Sequence, residues 1–348
     1  MAGKFNPPPK LDYGALTREL KNEGPGTLYM LWGEEDYLLQ DFVRRLRDAC
    51  LEGGAGDFDA KRLDGPAPDV RDVEEALDAM PFFGGRTFLE LRGFDVNKCR
   101  DERMAKILDD IPEWCTVVIV LPTGAAPDGR LSFIKQLKKK GKAVEFTSQD
   151  SGLLYTWIRR RCEAHGKKIG RDAMDRLMFL SGELMTQLIP EIEKICAWAK
   201  EEYIRVEDVE AVAHHIPEAD AFKMTDCLAR KDYDGACAVL AELLAGDEEP
   251  LMILGLIGGQ MRSLYAAKVA ETSGRGPAFA KEILGTSSDY RVRLTMDTAR
   301  KFTLDALTDD VRLCAAYCMK TREQGAALTE TEALKELLIR FAMEGGHA

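Results

Sequence analysis

The segment Thr116-Val117-Val118-Ile119-Val120-Leu121 decides the predicted fold. An unbroken run of apolar or β-branched residues, ended by Pro122, predicts a strand that is buried on both faces of a sheet. Four further segments are predicted strands: Thr27–Trp32, Phe58–Leu63, Thr87–Leu91 and Ala143–Phe146. Amphipathic helical segments lie between them, one of them beginning behind the capping residue Asp69. This alternation predicts a parallel sheet covered by helices on both faces.

From Ser151 onward the strand pattern disappears, and apolar residues recur only at helical spacing. Pro217 interrupts this helical part shortly after His214. A chain of 348 residues is too long for one core, which favours two or three domains. We therefore predict a Pro-rich lead-in (1–26), an α/β domain (27–149), a small helical domain (150–214) and a larger helical domain (215–348).

The charge balance limits the partners of the protein. Acidic residues outnumber basic residues by 59 to 48, so the net charge is −11 and the pI is about 5.1. This balance argues against a protein that coats nucleic acid or an anionic membrane by bulk charge. No apolar run reaches the roughly 18 residues that span a bilayer, and the start MAGKFNPPPK lacks the apolar core of a secretory signal. We expect a cytoplasmic protein without membrane contact.

The cysteines and histidines give no sign of a metal or catalytic site. The nine cysteines are odd in number and form no C-x-x-C pair, so we expect small buried apolar residues in a reducing compartment. Cys314 and Cys318 share one helix face without further ligands nearby, and the adjacent His214 and His215 point apart. There is also no G-x-S-x-G motif. We predict no metal site and no catalytic residue.

The loop after the first predicted strand is where such an α/β domain would bind a nucleotide. A phosphate-binding loop requires glycines, a Lys and a Ser or Thr. Here the loop reads Gly33-Glu34-Glu35-Asp36-Tyr37, and its carboxylates would repel a triphosphate. The central strand runs into Pro122-Thr123, where an ATPase has an acidic magnesium ligand. We predict no ATP site and no other cofactor.

The segment Met80-Pro81-Phe82-Phe83-Gly84-Gly85-Arg86 is the most informative candidate for a binding site. Pro81 ends a predicted helix, and Gly84-Gly85 predicts a turn before the next strand. Because successive side chains diverge, Phe82 and Phe83 cannot easily both enter the core of their own domain. One interpretation is a hydrophobic plug at the junction of helix and strand. The other is an exposed anchor for a protein partner, and spacing alone does not choose between them.

Basic residues form local clusters in spite of the acidic total. The clusters are Lys135, Lys138, Lys139, Lys140 and Lys142; Arg159, Arg160 and Arg161; and Arg291, Arg293, Arg300 and Lys301. A solvated helix face is the favoured interpretation of each cluster. Contact with DNA stays open as an alternative.

A series of short motifs runs in order from about Thr27 to Phe341. Besides Met80–Arg86, the series comprises Leu31-Trp32-Gly33-Glu34-Glu35-Asp36-Tyr37-Leu38-Leu39, Glu191-Ile192-Glu193-Lys194-Ile195, Val206-Glu207-Asp208-Val209, Glu249-Pro250-Leu251 with Gln260-Met261-Arg262, Tyr290-Arg291-Val292 and Ala299-Arg300-Lys301-Phe302. Each motif is weak alone, but their order and spacing are specific. Together they resemble the delta-subunit family of bacterial DNA polymerase III, which belongs to the clamp loaders.

The resemblance implies a three-domain fold: an ATPase-like (AAA+ type) α/β domain without a working ATP site, a helical lid (150–214) and a helical collar (215–348). It implies a subunit of a DNA-directed DNA polymerase holoenzyme, a nucleotidyltransferase, that has no catalysis of its own. This subunit binds and opens the sliding clamp, so that the clamp can be loaded on primed DNA. In this family an adjacent hydrophobic pair after a helix grips the clamp, and the matching residues are Phe82 and Phe83.

The resemblance also implies that the collar assembles this chain with the other loader subunits. The collar contains an apolar stripe at Leu251, Leu254, Ile257, Met261 and Leu264. This stripe has more large side chains than a helix within one small domain requires, so we predict that residues from Glu218 onward mediate the assembly. Primed DNA is an expected partner within the complex, but Lys320–Leu328 is not distinctive enough for a DNA contact to be assigned to it.

The sequence is also compatible with other functions. One is a genuine ATPase of the same fold that binds nucleotide atypically, which ATP binding by the isolated chain would distinguish. Another is the stator-like subunit of the loader, or a free DNA-binding helical protein. The stator-like subunit would carry a cysteine-rich metal module and a Ser-Arg-Cys finger, and the sequence has neither.

Overall fold

The computed structural model describes residues 12–51, 56–82, 85–246, 248–286, 288–321 and 328–344. The chain divides into two compact units. The first unit comprises the residues up to Ser148 together with Leu184–Thr186, and the second comprises Gln149–Glu183 and the residues from Gln187 onward. The separation of a lid from a collar stays a prediction.

The first unit contains a parallel sheet. Its helices are α1 (Tyr13–Glu23), α2 (Asp36–Cys50), α3 (Val70–Asp78), α4 (Glu102–Ile107) and α5 (Ser132–Lys140), and its strands are β1 (Leu28–Gly33), β2 (Ala60–Asp64), β3 (Thr87–Arg92), β4 (Cys115–Val120) and β5 (Lys142–Phe146). The strands lie in the order β2-β3-β4-β1-β5, and every neighbouring pair is parallel. The predicted parallel sheet is therefore confirmed, with β4 at its centre.

Side chains are buried on both faces of this sheet. On one face, Leu28 and Met30 of β1 share a hydrophobic cluster with Val117 of β4. The alternate residue Tyr29 points to the opposite face, where its ring lies 5.7 Å from the buried ring of Phe42 in α2. Burial on both faces explains why β1 and β4 are continuous apolar runs rather than alternating ones.

Because the strands are parallel, the sheet has two chemically distinct ends. We call the end at which the strands begin the amino end, and the end at which they finish the carboxyl end. Ala60, Thr87 and Cys115 begin their strands at the amino end, whereas Gly33 and Val120 lie at the carboxyl end. The predicted docking segment and the predicted nucleotide loop therefore lie at opposite ends of one sheet.

The rest of the chain is mainly helical. Its helices are α6 (Ser151–Ala164), α7 (Arg171–Ser181), α8 (Met185–Trp198), α9 (Val206–Val212), α10 (Pro217–Ala229), α11 (Tyr233–Ala245), α12 (Pro250–Thr272), α13 (Gly276–Leu284), α14 (Asp289–Ala299), α15 (Leu304–Lys320) and α16 (Glu330–Glu344). Two short strands, β6 (Lys168–Ile169) and β7 (Tyr203–Ile204), pair in parallel. The prediction of no β-structure after Ser151 is therefore wrong, because a two-residue strand is too short to show an alternating pattern.

Helix α12 lies at the centre of the C-terminal helices and contacts α10 and each helix from α13 to α16. Consequently Leu254, Ile257, Met261 and Leu264 are buried in the core, while Leu251 is 39% exposed. The stripe has no surplus of free side chains, so this reason for the predicted assembly is wrong. Although α12 has 23 residues, no helix in the described ranges is long and apolar enough to cross a membrane.

Most cysteines are buried, as the sequence predicts. Those buried are Cys50, Cys115, Cys162, Cys196, Cys227 and Cys314. Cys99 and Cys318 are half-buried, and Cys237 is exposed, so the prediction is wrong for Cys237. Burial raises the pKa of Cys314 to about 12, as expected for an unreactive thiol in an apolar core.

Candidate protein-docking surface

The predicted docking segment begins where α3 ends. Asp69 caps the start of α3, as predicted, and accepts a hydrogen bond from the backbone N–H of Arg71 at 2.8 Å. The helix ends at Asp78, and Ala79 has an extended backbone with φ −66° and ψ 120°. Pro81 prevents continuation of the helix, since it has no N–H to donate and its ring would clash with the preceding turn. The chain therefore leaves the helix and forms a loop before β3.

Large hydrophobic side chains are exposed in and beside this loop. Phe82 is 78% exposed and Met80 is 73% exposed. Phe82 is therefore not a plug in its own core. The second predicted residue, Phe83, lies outside the described residues. Phe58, in the short 3-10 helix Gly56–Asp59 that precedes β2, is 91% exposed. We call Phe58, Met80 and Phe82 the docking surface.

The exposure of these side chains is unusual for this molecule. Among the residues that the structure describes, four large hydrophobic side chains are more than 70% exposed, and three of them form the docking surface. The fourth is Met343 in α16. The docking surface lines a groove of about 330 Å³. Single exposed hydrophobic residues are common, but a cluster of them is typical of a protein interface.

Hydrogen bonds hold the loop at both ends. The backbone N–H of Phe82 donates to the carboxylate of Asp59, at 3.0 Å from Oδ1 and 3.1 Å from Oδ2. At the other end, Nε of Arg86 donates to Oγ1 of Thr116 at 3.1 Å. Between them, Gly85 has a φ of 91°, which a residue with a side chain rarely adopts. The loop is thus tied to both β2 and β4 at the amino end of the sheet.

Phe58 and Asp59 are absent from the predicted site. The sequence predicts a strand that starts at Phe58, whereas β2 starts at Ala60 and leaves both residues before the sheet. No local pattern links Asp59 to Phe82, because the two are 23 positions apart in the sequence. Only the parallel pairing of β2 with β3 brings them together.

The carboxyl end of the sheet holds the predicted nucleotide loop. Gly33 has a φ of 135°, and a Cβ atom at this position would lie 2.0 Å from the carbonyl oxygen of Phe146. The close approach of β1 and β5 therefore accounts for this glycine. Glu35 is fully buried, and its Oε2 accepts the backbone N–H of Met185 at 3.0 Å. Burial raises the pKa of Glu35 above its ordinary value.

The other predicted features have ordinary surroundings. Nε of Arg300 lies 3.1 Å from Oε1 of Glu271, and Nζ of Lys301 lies 2.7 Å from Oδ1 of Asp226, as on a solvated helix face. Nδ1 of His215 lies 2.9 Å from Oδ1 of Asp220 in the first turn of α10. Within the described ranges, no three His, Cys, Asp or Glu side chains are grouped as a metal site would require.

Two family models match the sequence. The model of the DNA polymerase III delta subunit matches residues 29–147, and the model of the C-terminal domain of the same subunit matches residues 218–335. Together they cover more than half of the 348 residues. The chain belongs to the DNA polymerase III delta subunit family. The family resemblance inferred from the order of the motifs is thereby confirmed.

Individual members of the delta family resemble the chain along most of its length. The DNA polymerase III subunit delta of Bacillus subtilis (strain 168) is 24% identical over 343 residues, which is 95% of this chain and 98% of the relative. The probable delta subunit of Aquifex aeolicus (strain VF5) is 24% identical over 278 residues, 76% of this chain and 77% of the relative.

A solved structure supports the fold. The DNA clamp loader delta protein of Bacillus subtilis matches with a TM-score of 0.50 and 21% sequence identity. The match covers 95% of this chain and 99% of that protein. Together with the five-stranded parallel sheet, this similarity confirms the predicted fold class of an α/β part followed by helical domains.

Proposed function

We propose that this chain is the subunit of a replicative clamp loader that binds and opens the sliding clamp, so that the clamp can be loaded on primed DNA. Membership of the delta family supports this function. The observation that carries it is the loop at the amino end of the sheet, which presents Phe82 at 78% exposure. The chain contributes no catalysis of its own, and nucleotidyltransferase activity belongs to the polymerase holoenzyme as a whole.

In this proposal, Phe82 and Phe83 bind an apolar pocket on the clamp. Burial of a phenylalanine side chain contributes about 1.5–3 kcal/mol. The backbone of Phe82 is already held by Asp59 through its N–H group. The backbone at Phe82 therefore loses little conformational freedom on binding, which favours high affinity.

Binding alone does not open a ring. The chain shifts the clamp towards its open state only by the difference between its affinities for the open and the closed ring. This difference requires no nucleotide in the chain itself. Nucleotide bound by partner subunits regulates instead whether Phe82 and Phe83 are accessible to the clamp.

Replacing Phe82 and Phe83 together by Ala tests the proposal. A loss of about 3 kcal/mol would weaken binding to the purified sliding clamp by roughly a hundredfold or more, as measured by surface plasmon resonance. The double variant should also fail to release clamps from circular DNA. Trp198→Ala, which removes a 58% exposed aromatic side chain from the second unit, is the matched control and should retain full affinity. Unchanged affinity and release in a double variant that is folded by circular dichroism would refute clamp docking by this loop.

Assembly with the other loader subunits is the second part of the proposal and involves the collar (215–348). Its α11 and α16 border an apolar groove of about 600 Å³, lined in part by Leu240, Leu244, Ile339 and Met343. Ile339 is 58% exposed and Met343 is 77% exposed, as is typical of an uncovered interface. Ile339→Glu should abolish co-purification with the other subunits while leaving clamp affinity unchanged. Normal co-purification would exclude this groove from the interface.

A further inference from the structure

The docking surface is formed by two segments of the chain. Phe58 precedes β2, whereas Met80 and Phe82 lie in the loop that precedes β3. β2 lies at the edge of the sheet and pairs in parallel with β3, so the two segments are neighbours at the amino end. A partner surface contacts both segments at a lower entropic cost when their relative position is fixed.

Asp59 fixes this position. Its side chain is only 7% exposed, and a buried carboxylate requires hydrogen-bond donors to offset the loss of water. Both of its oxygens lie within hydrogen-bond distance of the backbone nitrogen of Phe82, at 3.0 and 3.1 Å. A hydrogen bond to an ionised carboxylate is stronger than one between neutral groups. The residue next to Phe58 therefore holds the backbone of Phe82.

The groove between the two segments favours an apolar partner. Phe58, Met80 and Phe82 line it together with the buried Phe88 of β3. Each charged group on its lining has a partner: Nζ of Lys61 lies 3.9 Å from Oε2 of Glu75, and the carboxylate of Asp59 accepts the backbone N–H of Phe82. A hydrophobic side chain of the partner would thus enter the groove without leaving an unpaired charge in the interface.

We propose that Phe58 is a second clamp-contacting residue, and that Asp59 is a positioning residue that holds Phe82 beside it. This inference rests on the proposed clamp binding and extends it. The family resemblance assigns the contact to the aromatic pair of one loop, whereas the structure joins a second segment to it. The two segments then bind the clamp as one surface.

The clamp affinities of a set of variants test both the contact made by Phe58 and the positioning role of Asp59. Phe58→Ala should weaken binding about tenfold, because it removes exposed aromatic surface that the clamp would cover. Asp59→Ala should also weaken binding about tenfold, but by less than twofold when Phe82 and Phe83 are both already replaced by Ala, because Asp59 acts through the loop residues that contact the clamp. Asp59→Asn retains an acceptor oxygen and should restore affinity to within about threefold of the native chain. Asp64→Ala, at the opposite end of β2, is the matched control and should have no effect.

A second measurement needs no clamp. In the isotope-labelled full chain, the amide proton resonance of Phe82 should move upfield in Asp59→Ala and stay near its native position in Asp59→Asn. An unmoved resonance, or additive losses of affinity for Asp59→Ala and the double replacement of Phe82 and Phe83 by Ala, would overturn the positioning role. If Phe82→Ala weakens binding but Phe58→Ala binds with native affinity, the proposed contact by Phe58 is overturned. Native affinity of both Phe variants would instead refute the proposed clamp docking, while the resonance would still test Asp59.

Discussion

The loops at the two ends of the parallel sheet differ in how they are held and in which side chains they expose. At the carboxyl end, the loop after β1 is held against β5, where the backbone N–H of Glu35 donates to the carbonyl oxygen of Phe146 at 3.1 Å. At the amino end, the loop before β3 presents Phe82 at 78% exposure. Ligands of open α/β sheets ordinarily bind at the carboxyl ends of the strands. Here the loop after β1 is bonded to the chain's own groups, and the candidate binding residues lie at the other end.

This comparison separates stability from binding within one domain. Glu35 is fully buried and Gly33 contacts a neighbouring strand, so substitutions at the carboxyl end should change the free energy of unfolding. Phe58 and Phe82 are mostly exposed, so their replacement should change affinity for a partner and leave the free energy of unfolding nearly unchanged. The following predictions test this separation.

Gly33→Ala should have the largest effect. A Cβ atom would lie 2.0 Å from the carbonyl oxygen of Phe146, and the φ of 135° is itself unfavourable for alanine. Overlap with a strand backbone and a strained dihedral should together lower the free energy of unfolding by about 3 kcal/mol, as measured by urea denaturation. The affinity for the clamp should stay native at temperatures where the variant is folded.

Gly124→Ala is the matched control for this change. Gly124 also follows a strand at the carboxyl end and has a φ of 75°, but nothing lies within 4 Å of a Cβ atom there. Only the dihedral is strained in this variant, so the expected loss is about 1 kcal/mol. Equal losses in the two variants would show that the contact between β1 and β5 does not constrain Gly33.

Glu35→Gln should have a smaller effect, visible in the dependence of stability on pH. Burial raises the pKa of Glu35 above its ordinary value of 4.5, so the folded protein binds this proton more tightly than the unfolded chain. The free energy of unfolding should therefore fall as the pH rises through the range above 4.5, until the carboxyl is ionised in both states. Gln cannot ionise and can still accept the N–H of Met185, so this decline should be reduced in the variant.

Urea denaturation between pH 4.5 and pH 7 measures this decline. Glu113→Gln is the control, because Glu113 is an exposed glutamate elsewhere in the same unit. An identical pH dependence in the native chain and in Glu35→Gln would show that the Glu35 carboxyl is accessible to water in the folded chain.

The sequence predicts β1 and β4 well because these two strands are buried on both faces of the sheet. An apolar run such as Thr116–Leu121 needs no tertiary information to be recognised. The strand order β2-β3-β4-β1-β5 depends on how the crossovers pack and cannot be read from periodicity. In α12 the apolar stripe predicts a buried face correctly, but periodicity cannot show how many neighbouring helices cover it.

The candidate site is predicted only in part, because some of its residues are joined only by the tertiary fold. Pro81 and the glycines after it are local signals, and they place Phe82 in an exposed connection. Asp59 is joined to Phe82 by a hydrogen bond across two strands, and no spacing along the chain indicates such a contact. Residues that position a site from another segment are therefore the part that requires the fold.

The smallest expected effect is that of ATP, which should not change the stability of the purified chain. Glu34, Glu35 and Asp36 place carboxyl groups at the start of α2, where a triphosphate would have to bind. A ligand with a Kd of about 10 μM, added at about 1 mM with magnesium, would stabilise the folded chain by about 2.7 kcal/mol. For a chain of this size that stabilisation raises the melting temperature by roughly 2–4 °C, which differential scanning fluorimetry detects readily. We expect no change in the melting temperature of the native chain on addition of ATP. Gly124→Ala, whose substitution lies outside the loop, should likewise show no change with ATP. A reproducible, saturable rise with ATP would show that the carboxyl end binds nucleotide after all, and the two ends of the sheet would then both be binding sites.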